Sequence, residues 1–137
     1  MIVSGSEEVK MITVLLVDDN DLIRRALRDI LEDSGDITIV GEAADGVTAF
    51  HLALSLRPTV VLMDVGLSRL NGVDATRRIK DLLPHTVIIG LAVHDVRHIE
   101  SAMLSAGASA FLSKDTNPDQ LVAIIREQVE LRSSRVE

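Results

Sequence analysis

The chain has 137 residues, 47% apolar and 26% charged, with a formal net charge of −7. That suits one domain with a proper core, and the acidity disfavours a general role on nucleic acid or an anionic membrane surface. The absence of cysteine excludes a disulfide framework, a thiol nucleophile and a thiolate metal site; two Phe without Trp or Tyr leave the core to Val, Leu, Ile and Ala.

Residues 1–10, MIVSGSEEVK, are polar and without period and are expected to be a flexible leader, with Met11 offering an alternative start. They lack the apolar core of a signal peptide, and no apolar run approaches the length of a membrane span, so a cytoplasmic protein is expected. The first strand is predicted at 13–17 (TVLLV), then a helix over 21–32 whose Leu22, Ile23, Ala26, Leu27, Ile30 and Leu31 form one stripe. Strands at 38–40, 59–63, 86–92 and 110–112 alternate with helices at 46–56, 72–83, 96–106 and 118–131. The strands are mostly β-branched with no polar face, the pattern of strands covered on both sides. Asn71 and Asp95 are predicted N-caps and Pro118 a first helical residue, while Gly35 and Gly107 follow helix ends. Strict β-α alternation predicts a parallel sheet with helices on both faces over residues 11–131. Residues 132–137 are expected to be a tail or the start of a linker.

Strand order decides where the charged residues meet. In the order 2-1-3-4-5, strands 1 and 3 are neighbours and a crevice opens at their carboxyl ends. Asp18 and Asp19 follow the first strand in LLVDDN, Asp64 follows the third in VLMDVGL, and Lys114 follows the fifth in FLSKD. The acids after strand 1 have two readings: they cap the next helix and complement its dipole, or they hold a cation. Carboxylates within a few Å of one another raise each other's pKa or require a counter-ion. Hard oxygen donors favour Mg²⁺ over Zn²⁺, and His51, His85, His94 and His98 are scattered. The set suits phosphoryl transfer to a carboxylate, with Asp64 as nucleophile, Asp18 and Asp19 on Mg²⁺ and Lys114 on a phosphoryl oxygen.

On LLVDDN, GEAADG, VLMDVGL…NG, ATRRIK, VHD and AGASAFLSKD, the chain resembles the receiver domain of bacterial two-component response regulators, particularly the LuxR/NarL type, from about Thr13 to Arg126. The resemblance implies a flavodoxin-like (βα)5 fold and a cytoplasmic phosphoacceptor rather than an enzyme, at most self-phosphorylating from small donors and autodephosphorylating. It implies a sensor histidine kinase or phosphotransfer protein as donor, and is compatible with a homodimer. It adds the backbone carbonyl of Gly66 to the Mg²⁺ ligands Asp18, Asp19 and Asp64, makes Phe111 the switch aromatic, and makes Gly66 and His94 candidates for tuning dephosphorylation. The signal would pass through the face of helix 4, strand 5 and helix 5.

Two positions depart from the family. Ala92 stands where a Ser or Thr usually closes strand 4, and residues 87–95 contain neither; Ser68 stands where Pro is usual. Ala92 supports a second reading, an interaction module with weakened or lost phospho-switching. A dehalogenase-like phosphatase fits poorly, since the Asp two residues after Asp19 lacks the following Thr, and a flavin site lacks both its phosphate-cradling loop and its aromatics. Arg77, Arg78 and Lys80 read as a solvated helix face, so no specific DNA binding is expected of this chain alone.

Overall fold

The computed structural model describes residues 10–67, 71–93 and 97–136. In chain order the elements are β1 (Ile12–Val17), α1 (Asp21–Glu32), β2 (Ile37–Ala43), α2 (Gly46–Leu56), β3 (Val60–Asp64), α3 (Gly72–Leu82), β4 (Val87–Ala92), α4 (Arg97–Ala106), β5 (Ala110–Ser113) and α5 (Pro118–Val136). The strands form one parallel sheet in the order β2-β1-β3-β4-β5, the expected flavodoxin-like arrangement.

The two faces of the sheet carry separate cores. Val14, Leu16, Val60, Leu62 and Ile89 pack with Leu31 of α1 and with Leu121, Val122 and Ile125 of α5. Leu15, Val17, Val61, Met63 and Ile88 pack on the other side with Ala49 and Ala53 of α2, Ala75 and Ile79 of α3, and Met103 of α4. Each fully buried Leu or Ile contributes about 1.5–3 kcal/mol, which is why strands without a polar face run through the middle. Among the described residues, no helix is long and apolar enough to cross a membrane.

The punctuation follows the sequence closely. Asn20 caps α1, its side chain accepting from the Leu22 and Ile23 N–H groups. Asn71 caps α3 through the Asp74 N–H, and α5 begins at Pro118. Gly35 and Gly107 have φ of +92° and +117°. A further cap, Asp45 on α2, accepts from the Thr48 N–H.

Three details differ from the sequence reading. The second strand extends to Ala43 because it contains a bulge: Val14 pairs with Ile39 but Leu15 pairs with Gly41, leaving Val40 as the extra residue. The last helix continues past Leu131 to Val136, through a stretch without Gly or Pro to stop it. On α1, Leu22 is 70% exposed and Ala26 is exposed too, so the inward stripe narrows to half-buried Ile23, Leu27 and Ile30 and fully buried Leu31. Arg24 and Arg28 on the same helix are half-buried. Ser68, His94 and the predicted cap Asp95 lie outside the described residues, as does nearly all of the 1–10 leader.

Candidate functional site

β1 and β3 are neighbours, so the residues that follow them share one rim. One carboxylate oxygen each from Asp18, Asp19 and Asp64 lie within 4.8 Å of one another. Asp18 and Asp64 are buried, whereas Asp19 is exposed. The Asp18 backbone N–H donates to the Ala43 carbonyl at 3.0 Å, and its Oδ1 accepts the Asn20 N–H at 2.9 Å. Its Oδ2 has no aligned hydrogen-bond donor and is faced instead by the Lys114 ammonium, 2.6 Å away. Lys114 Nζ is also 3.4 Å from Asp64 Oδ2, while Asp64 Oδ1 accepts the Gly66 N–H at 3.0 Å. Lys114 reaches this point because its own backbone N–H is anchored on the Ala92 carbonyl at 2.8 Å.

The electrostatics follow from burial. Loss of water pushes the Asp64 carboxyl above its ordinary pKa, and the Asp18 charge adds to that; the Gly66 N–H and Lys114 oppose without cancelling. For Lys114, burial disfavours the ammonium, but its contacts with Asp18 and Asp64 outweigh this and hold it above the usual lysine value. Lys114 pairs with two of the three clustered acids, so among the described residues the cluster keeps an excess of negative charge. Hard oxygens, two of the acids buried and one open to solvent, fit a Mg²⁺ ion that retains some of its waters.

Glycines shape the surroundings. A Cβ at Gly72 would lie 2.6 Å from the Asp64 carbonyl oxygen and 2.8 Å from the Val65 Cα, so glycine lets α3 start directly against the end of β3. A Cβ at Gly90 would meet Phe111 Cδ1 at 2.8 Å and Met103 Cε at 2.9 Å. Phe111 is therefore seated in a notch on the β4 backbone, on the face shared with α4. Ala92 is buried at the end of β4 with Ser113 as its β5 partner, and brings no hydroxyl to the rim. The structure thus brings Asp18, Asp19, Asp64, Gly66 and Lys114 together, sets Ala92 at the edge, and puts Phe111 in the adjoining layer.

Arg24 and Glu42 were not singled out by the sequence pattern. Arg24 Nη1 donates to the Asp18 carbonyl at 2.5 Å, Nε donates to Glu42 Oε1 at 2.9 Å, and Nη2 pairs with Asp21. Arg28 donates to Glu42 Oε2 from Nη2 at 2.7 Å and from Nε at 2.9 Å. These bonds, Arg28's foremost, hold the Glu42 carboxyl below its ordinary pKa.

Comparison with known proteins agrees with this geometry. The family profile described as "Response regulator receiver domain" matches residues 14–126. The response regulator UvrY of Escherichia coli is 40% identical over 116 residues, covering 85% of this chain and 53% of UvrY. The transcriptional regulatory protein YxjL of Bacillus subtilis is 38% identical over 115 residues, covering 84% and 53%. The chain thus spans about half the length of the curated relatives it matches. Among solved structures, a LuxR-family two-component response regulator from Aurantimonas sp. superposes with a TM-score of 0.85 at 28% identity, covering 93% of this chain and all of that one. The response regulator domain of Thermotoga maritima CheB gives 0.78 at 30% identity, covering 90% and 96%.

Proposed function

The chain belongs to the response regulator receiver-domain family, and on that premise we propose that Asp64 accepts a phosphoryl group from the phosphohistidine of a sensor kinase or phosphotransfer protein, in a Mg²⁺-dependent reaction. The observation that carries this reading is the Lys114 ammonium between Asp18 and Asp64, at 2.6 and 3.4 Å. It marks where negative charge accumulates and where a phosphoryl oxygen can be received.

An oxygen of the Asp64 carboxylate attacks phosphorus, and the P–N bond to the donor imidazole breaks with its electron pair leaving on nitrogen, where a proton is taken up. The group is then carried as an acyl phosphate on Asp64. Lys114 turns from the carboxylates to a phosphoryl oxygen and offsets its charge. Asp18, Asp19, Asp64 and the Gly66 carbonyl would hold Mg²⁺, which when bound neutralises charge on the transferring group. By the family resemblance, Gly66 and His94 are the positions we assign to tuning hydrolysis of the acyl phosphate.

Attack needs no oxygen on residue 92, so Ala92 leaves phosphorylation intact. What it removes is a hydrogen bond to a charged group, about 1.5–3 kcal/mol, against the roughly 5.5 kcal/mol needed to drive a two-state equilibrium from 1:99 to 99:1. The conformational response is therefore smaller than a hydroxyl would give. Incubation with acetyl phosphate and Mg²⁺, followed by intact-mass measurement, tests the reading. One phosphoryl adduct is expected, lost with chelator and absent in Asp64→Asn; an adduct that persists in Asp64→Asn would contradict it.

A further inference from the structure

We propose that Arg24 is a positioning residue for the acid rim: braced by Glu42, it fixes the peptide joining Asp18 to Asp19 and so sets the two carboxylates for Mg²⁺. This rests on the cation reading of the site. The peptide is held from two sides. The Asp18 N–H is anchored on the Ala43 carbonyl at 3.0 Å, and the Asp18 carbonyl receives Arg24 Nη1 at 2.5 Å. That carbonyl belongs to the plane connecting the two acids, so its orientation decides where both side chains project.

The brace follows from the bulge in β2. Before it, Ile37 and Ile39 face α1; without an extra residue, the residues facing α1 would continue at Gly41 and Ala43. Val40 shifts the parity, so Leu16 pairs with Glu42, and Glu42 emerges on the α1 face beneath Arg24 and Arg28. A cation beside a Mg²⁺ site would ordinarily repel the ion. Here Glu42 and Asp21 neutralise Arg24, leaving its directed donors to act as a clamp. The rigid fork of a guanidinium serves Glu42 and the Asp18 carbonyl simultaneously, which the single ammonium of lysine does not reproduce. Arg24 is only 14% exposed, so the fork is held in place by its surroundings.

Mg²⁺ titration by calorimetry on wild type, Arg24→Lys, Arg24→Gln and Glu42→Gln, with melting temperatures recorded alongside, separates the roles. Outer-sphere partners of a metal site typically change affinity by about tenfold or more, so each variant is expected to bind Mg²⁺ about tenfold more weakly. Glu42→Gln, nearly isosteric, carries the test should an Arg24 variant fail to fold. Lower melting temperatures with unchanged Mg²⁺ affinity would make Arg24 merely structural and overturn the proposal. Tighter binding in Arg24→Gln with wild-type binding in Arg24→Lys would reduce it to a charge effect, with the same consequence. Wild-type protein that binds no Mg²⁺ would overturn the cation reading itself and the clamp with it.

Discussion

The two rims of the sheet treat polar groups in opposite ways. At the amino rim several polar groups beside the strand starts are matched from within the fold. Lys80 Nζ donates to the Pro84 and Thr86 carbonyls at 2.7 and 2.8 Å, the Thr59 N–H donates to Thr13 Oγ1 at 2.9 Å, and Arg126 holds Asp36 through two bonds of 2.9 Å. At the carboxyl rim, Asp18, Asp19 and Asp64 cluster together, and Lys114 pairs with Asp18 and Asp64. The first arrangement satisfies itself within the fold. The second leaves an excess of negative charge, the imbalance on which the proposed Mg²⁺ and phosphoryl chemistry rests.

Removing the shared cation is the harshest way to press on this contrast. Lys114→Met leaves two buried carboxylates facing each other, and taking one partner from a buried ion pair costs about 3–5 kcal/mol. Urea denaturation should show a loss of that order, partly restored by millimolar Mg²⁺. A loss below 1 kcal/mol, or one insensitive to Mg²⁺, would mean that the rim is less strained than its geometry implies.

A smaller effect of opposite sign is expected at Asp64. Its folded pKa lies above the ordinary value, so the folded state holds a proton more readily than the unfolded chain. The destabilisation is fully present above the folded pKa and fades as pH falls toward about 3.9. Without Mg²⁺, Asp64→Asn should therefore be more stable than wild type at pH 7, with the advantage vanishing in acid. Paired denaturation curves across pH 3–7 measure it, and equal stabilities at pH 7 would count against the strain.

Asp36 supplies the mirror image. Its hydrogen bonds from Arg126 hold its pKa below the ordinary value, so its stabilisation is present above about 3.9 and is lost as pH falls through the folded value. The pair is solvent-screened, and Asp36→Asn should cost less than about 1 kcal/mol at neutral pH. The same denaturation series should thus give opposite signs for the two substitutions. Matching signs would erase the distinction between the rims.

Much of the fold and nearly all of the acid site were legible in the sequence, because both depend on local patterns. Unbroken apolar runs announced buried parallel strands, and acids after strands 1 and 3 become neighbours once the strand order is known. What escaped was set by tertiary context. Gly41 and Glu42 look like a strand ending in TIVGEA, yet a bulge carries the pairing on to Ala43. Arg24 and Arg28 look like solvated helix charges until Glu42 is seen opposite them. Leu22 falls on an apolar stripe by period, but its side of the helix turn faces water. The seating of Phe111 depends on Gly90, a contact between strands that no local pattern encodes.

The most direct test of the central claim is to locate the covalent bond. After incubation with a phosphodonor and Mg²⁺, borohydride reduction converts an aspartyl phosphate to homoserine, which peptide mapping by mass spectrometry assigns to one position. Homoserine at position 64, absent when the phosphodonor or Mg²⁺ is omitted, is the predicted result. Reduction at Asp18 or Asp19 instead, or at no residue despite a phosphoryl adduct on the intact chain, would contradict the account.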